Sequence, residues 1–215
     1  MPSIQQSNET NLWIRQFLYL CLLTASVNLL QTVSGVLLGL RASSPLLIIF
    51  GLDSFVGALR ELVVARRIAC YGPADGDPSE SGVPFTLIAC GYFTVSFFAL
   101  GFGLIALLQG REPTPSILGV GLAAVSMLLI PIIGSYMKAV AMEVRSPVLK
   151  AASVFTFGNS YLAMVLLIGL LVNSGMQHWW GDPLGALVMC PFIIQKGIQI
   201  LIGKREIEFV DDARL

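Results

Sequence analysis

Charge is scarce in this sequence: Asp, Glu, Lys and Arg make up 12% of its 215 residues, about half the share of a soluble domain. That shortage excludes an ordinary cytosolic enzyme, and it excludes a disordered chain, which needs high charge and few apolar residues. Neither sign dominates, with 13 basic and 13 acidic residues, so no basic face for nucleic acid is expected. Histidine occurs once, at His178, which rules out an H-E-x-x-H metal site. The four cysteines, Cys21, Cys70, Cys90 and Cys190, stand singly. With no C-x-x-C there is neither a thiol–disulfide motif nor a zinc knuckle. Cys21, Cys90 and Cys190 read as small packing residues. Cys70 falls near a membrane interface, a place compatible with palmitoylation.

Apolar residues are what the chain has in quantity: 55% of the sequence, with a mean hydropathy of +0.80. A helix needs roughly 20 of them in a row to cross the hydrocarbon core. Six stretches qualify: Phe17–Leu40, Pro45–Ile68, Pro84–Leu108, Ser116–Met137, Ala151–Asn173 and Pro183–Ile202. None alternates polar and apolar residues as a membrane strand does, so all six are expected to be helices. The fold class is therefore an all-α integral membrane protein, a six-helix domain over 13–203 with tails at 1–12 and 204–215.

Lysine and arginine set the expected orientation. With both termini in the cytoplasm, Arg15, Arg66, Arg67, Lys138, Arg145, Lys150, Lys204, Arg205 and Arg214 lie inside, and only Arg41 and Arg111 lie outside. This is a strong positive-inside bias. Arg60 and Lys196 fall within spans. No signal-peptide cleavage pattern precedes the first span, so it is expected to be retained. A bacterial inner membrane fits both features.

An ionisable residue inside a membrane is expensive and marks function by default. The second span holds Asp53, Arg60 and Glu61. Asp53 lies roughly 5 Å from that span's centre, counting about 1.5 Å per residue. Gly57 comes one turn later, and spacings of four, seven and eight put all four positions on one face. Two readings of Asp53 stand together. Arg60 leans back along the helix and neutralises it across an axial gap of about 10 Å, or the carboxylate binds or relays a cation. The fifth span adds a polar stripe of Ser153, Thr156, Asn159 and Ser160, and the first adds Thr24, Asn28 and Gln31. Taken alone, both stripes read as hydrogen-bonding glue between helices.

Small residues at Gly35 and Gly39, and at Ala99 and Gly103, mark close helix contacts. Asp182 before Pro183 reads as an N-cap with proline at the first helical position. Two motifs fail on inspection. Asp75-Gly-Asp77-Pro-Ser79-Glu80 begins like a calcium loop but has Glu80 where glycine is needed and Thr86 where an acid is needed. Gly158-Asn159-Ser160 is similar to an intramembrane protease serine motif. Its serine would need a histidine base, and His178 lies about 20 Å of helix rise away. An enzyme is not expected.

The run Ser44-Pro-Leu-Leu-Ile-Ile-Phe-Gly-Leu-Asp53-Ser-Phe-Val-Gly57-Ala-Leu resembles the second helix of cation diffusion facilitators, the cation efflux proteins. Trp180-Gly-Asp182-Pro183-Leu-Gly-Ala-Leu is similar to the start of their sixth helix, and Pro113-Thr-Pro115 to the opening of the fourth. The resemblance covers about 13 to 203. It implies export of divalent metal, typically zinc, by proton antiport and alternating access, and a possible homodimer, with small-residue faces as the contact. It also implies two ligands one turn apart in the second helix and two in the fifth. These positions fall on Asp53 and Gly57, and on Thr156 and Ser160 with Asn159 adjacent, so one charged ligand of the four is kept.

A single carboxylate among hydroxyl and amide oxygens suits magnesium, calcium, manganese or a monovalent ion better than zinc. The expectation is a minimal transporter of a divalent cation. Asp53, Thr156, Asn159 and Ser160 form its site, and Arg60 and Glu61 form an inner gate or proton-linked pair. The alternative is a relative that has lost transport and serves as a membrane scaffold or subunit. The partners expected are the lipid bilayer, the cation and the proton.

Overall fold

A backbone in hydrocarbon must satisfy its own amides, and the described residues are helices joined by short connections. The computed structural model describes residues 4–71, 82–110, 112–176 and 178–212. Its helices are α1 (Ile4–Ala42), α2 (Pro45–Tyr71), α3 (Gly82–Leu108), α4 (Ile117–Val144), α5 (Pro147–Met176) and α6 (Gly181–Asp212). Five of the six are long and apolar enough to cross a membrane. The exception is α2, whose Asp53, Arg60, Glu61, Arg66 and Arg67 lower its hydropathy. The helices run further than the apolar stretches: α1 begins within the segment read as a tail, and α6 continues through most of 204–215. Residues 72–81, with Asp75, Asp77 and Glu80, lie outside the described residues, as do Arg111 and Arg214.

The closest pairings are α1 with α2, α3 with α6, and α4 with α5. Helix α2 also packs on α3, α5 and α6, so the helix that buries Asp53, Arg60 and Glu61 is enclosed by protein. The small residues make this possible. A Cβ on Gly51 of α2 would stand 2.9 Å from the Val36 backbone nitrogen of α1, and one on Gly35 would stand 3.1 Å from Gly51 Cα. Between α3 and α6, a Cβ on Gly103 would meet Leu187 Cγ at 2.9 Å. Both small-residue faces are thus used within the chain, which removes them as the contact expected for a homodimer. Large apolar side chains such as Tyr19, Leu30, Phe97, Ile117 and Leu128 cover the outside, where lipid would meet them. Cys90 is among the exposed residues rather than the packing ones, while Cys21 is buried.

Two apolar clusters fill the interior. One gathers Leu46, Phe50, Tyr92, Leu166 and Met189; the other gathers Phe17, Ile68, Met137 and Leu149. The polar residues of α1, α2 and α5 fall between them in chain order, so a polar band crosses the middle of the bundle.

Helix starts are set by side chains. Ser44 caps α2, its Oγ accepting from Leu47 N at 3.1 Å, and Pro45 takes the first helical position, which needs no amide proton. Ser116 caps α4 by accepting from Gly119 N at 3.1 Å. Ser146 does the same for α5 with Leu149 N at 3.4 Å. Asp182 corrects the sequence reading. It sits inside the first turn of α6 rather than capping it. Its Oδ1 accepts from Leu46 N of α2 at 3.1 Å, and its Oδ2 accepts from Ser44 Oγ. The carboxylate serves the neighbouring helix because unpaired amides and a positive dipole end converge on it there. Asp182→Ala is expected to lower stability by about 1–2 kcal/mol, read as a fall in the thermal unfolding midpoint of the purified protein in micelles. Asp182→Asn, which keeps one acceptor, is expected to cost less.

Candidate functional site: two buried ion pairs

Four charged side chains in the polar band are buried, and they form two pairs. Lys196 of α6 reaches Asp53 of α2, with Nζ donating to Oδ2 at 2.8 Å and to Oδ1 at 3.0 Å. The same ammonium donates to Asn159 Oδ1 of α5 at 2.8 Å. Asp53 is 2% exposed and Lys196 5%, so bulk water does not reach the pair. The Tyr92 ring of α3 lies 5.4 Å from Nζ, within cation–π range. One ammonium therefore ties together four helices.

The second pair is Arg60 with Glu61. The Arg60 guanidinium also donates to the Ala152 carbonyl at 3.4 Å and stacks 4.4 Å from the centre of the Phe155 ring. Thr156 Oγ1 donates to Glu61 Oε1 at 3.3 Å. The other oxygen, Glu61 Oε2, is buried with no hydrogen-bond partner.

The sequence reading is corrected at two points. Arg60 does not neutralise Asp53. Seven residues of helix separate them by about 10 Å, while Glu61 is adjacent and Phe155 offers the guanidinium a ring to lie on. Thr156 likewise joins Glu61 rather than Asp53. Asn159 does share a cationic centre with Asp53, and Ser160 Oγ is buried without a partner. Gly57 lets two amides pack closely against α2 beside this centre: a Cβ there would stand 3.2 Å from Asn28 Nδ2 and 3.7 Å from Asn159 Nδ2. Of these two amides, Asn28 Nδ2 has no partner. Gln31 bridges α1 to α4 through Ser126 Oγ at 2.9 Å and accepts from Ser54 Oγ of α2 at 3.4 Å, the glue role expected for it.

Lys196 is the residue the sequence reading missed. Its signal was present, because a lysine inside an apolar span requires an acid, and the second span held two. Among the described residues, no group of three or more His, Cys, Asp or Glu is placed to hold a metal ion. The donors at the centre are one carboxylate and one amide oxygen, a set that suits hard cations.

The family model for the cation efflux transmembrane domain matches residues 81–204, which takes in α3, α4, α5 and most of α6. The chain belongs to the cation efflux family. No curated protein is significantly similar to it in sequence. This cation efflux chain is accordingly a multi-pass membrane transporter of cations rather than an enzyme. The Gly158-Asn159-Ser160 segment, with Asn159 buried, belongs to its polar band and not to a nucleophile.

Removing one member of a buried pair strands the other charge. Glu61→Gln is expected to destabilise the cation efflux chain by about 3–5 kcal/mol, and the Arg60→Met/Glu61→Gln double variant to recover most of that. Thermal unfolding of the three proteins in micelles measures it. A Glu61→Gln protein as stable as wild type would show that Arg60 does not depend on Glu61.

Proposed function

We propose that the chain is a proton-coupled antiporter of a hard cation, with Asp53 as its central ligand. Asn159 assists as the amide oxygen donor, and Ser160 and Thr156 complete the polar lining of α5. Arg60 and Glu61 form a gate toward the end of the bundle that carries both termini, which faces the cytoplasm under the positive-inside bias. The observation that carries this reading is the placement of a carboxylate and an amide oxygen, from different helices, around one cationic centre in the middle of the bundle. Zinc is a poor fit to this lining. It favours four strong nitrogen, sulfur or carboxylate ligands, whereas Gly57, Thr156 and Ser160 stand where three of them would be. A hard cation that accepts carboxylate and carbonyl oxygens fits better.

A second reading draws on Lys196. A lysine ammonium already satisfies Asp53, as in a relative that has lost transport and kept the fold as a membrane scaffold or subunit. Flux decides between them. The full chain in liposomes, given an imposed pH gradient and zinc, manganese, magnesium or sodium in turn, is expected to move one hard ion. Asp53→Asn is expected to reduce that flux to the level of empty liposomes. Folded wild-type protein that moves none of the four ions would favour the scaffold, and flux unchanged in Asp53→Asn would remove Asp53 from the site.

A further inference from the structure

Lys196 is placed as an occupant of the Asp53 site. Its three ammonium protons meet three oxygens, two from Asp53 and one from Asn159, so its donor capacity is fully used. An ammonium only donates, which fixes the Asn159 amide with its oxygen inward and its nitrogen toward Gly57 and Asn28. Three oxygens at 2.8 to 3.0 Å around one positive charge are also the kind of lining that holds a hard metal cation. We propose that Asp53 and Asn159 form a cation cradle that the chain closes with its own ammonium, so that Lys196 is a tethered competitor which an incoming monovalent cation displaces. This rests on the reading of Asp53 as the cation ligand and adds its regulation and its ligand class.

Three observations give the lysine somewhere to go. First, α2 and α6 start at the same level, since Asp182 holds the first turn of α2. Counting rise from that contact, Asp53 lies about 10 Å along α2 and Glu61 about 22 Å, while the Lys196 backbone lies about 21 Å along α6. The Lys196 side chain leans back toward the helix N-terminus to reach Asp53, as helical side chains do. Second, Glu61 Oε2 is buried with no hydrogen-bond partner, a free acceptor on the same helix as Asp53 and in the same polar band. Third, the Gly57 side of the cradle is bordered by the Asn28 amide, whose nitrogen has no hydrogen-bond partner and would stand 3.2 Å from a Cβ at Gly57. Lysine suits such a role, being a compact charge on a flexible four-carbon stem. The cradle's one negative charge is matched by one positive charge. A monovalent cation replaces the ammonium like for like, whereas a divalent ion adds an unmatched charge in a poorly solvated interior.

The test is cation binding by the purified full chain. Thermal unfolding is followed in micelles as sodium chloride is added, with choline chloride at equal ionic strength as the control for screening. Wild type is expected to show a weak sodium-specific rise in its midpoint. Lys196→Met is expected to reach the same rise at about tenfold lower sodium or less, because the competitor that holds most of the cradles is gone. Asp53→Asn/Lys196→Met is expected to show none. A folded Lys196→Met protein with no sodium-specific rise, or with the wild-type dependence, overturns the proposal. So does a response to manganese alone.

A readout on wild type covers the case of a variant that does not fold. The ¹⁵Nζ resonance of Lys196 is expected to shift with sodium and not with choline, and a resonance that sodium leaves in place overturns the proposal. Flux and binding fail separately. Sodium binding gained in Lys196→Met without flux in wild type would sink the transporter alone, and flux without that gain would sink the tethered competitor alone.

Discussion

A lysine ammonium held by a carboxylate and an amide oxygen is the interaction on which this bundle turns. Burying either charge alone costs several kcal/mol, so Asp53 needs a cation beside it and Lys196 an anion, and here each supplies the other. Because Asn159 shares the ammonium, α5 is drawn into the same arrangement. The pair therefore decides more than local electrostatics. It sets the register of α2 against α6, and it fixes which oxygens face the middle of the membrane.

The remainder of the fold follows from enclosing a charged helix. Helix α2 is the one that is not apolar enough to cross a membrane by composition, and α1, α3, α5 and α6 shield it. Gly35 and Gly51 let α1 approach it at backbone contact. Asp182 and Ser44 complete its first turn. Above and below the polar band the interior is apolar, so the charges are held at a defined depth. Within the band both pairs are balanced in charge, and Glu61 Oε2 is left without a hydrogen-bond partner.

Much of this was legible in the sequence. Six helices followed from six apolar runs, and one charged face of α2 followed from spacings of four, seven and eight. The membership of the cation efflux family was carried by landmarks in α2, α4 and α6. What failed did so for a shared reason. Partners of Asp53, Thr156 and Asp182 were sought on their own helix, or at positions a related protein would use. The interior instead paired each with whichever group came to its level from another helix. Arg60 looked right for Asp53 by spacing, yet Glu61 and the Phe155 ring lay closer. Lys196 could not be placed without knowing that α6 packs beside α2, and helix adjacency is not written in hydropathy.

The central claim is that Asp53 and Lys196 sustain each other in the bundle interior. A double-mutant cycle on unfolding stability tests it most directly, with Asp53→Asn, Lys196→Met and the double variant in micelles containing only choline salts. The expected result is that each single change is costly and the double change recovers much of the loss, a coupling of at least about 1 kcal/mol. Costs that simply add would contradict the pairing and the account built on it.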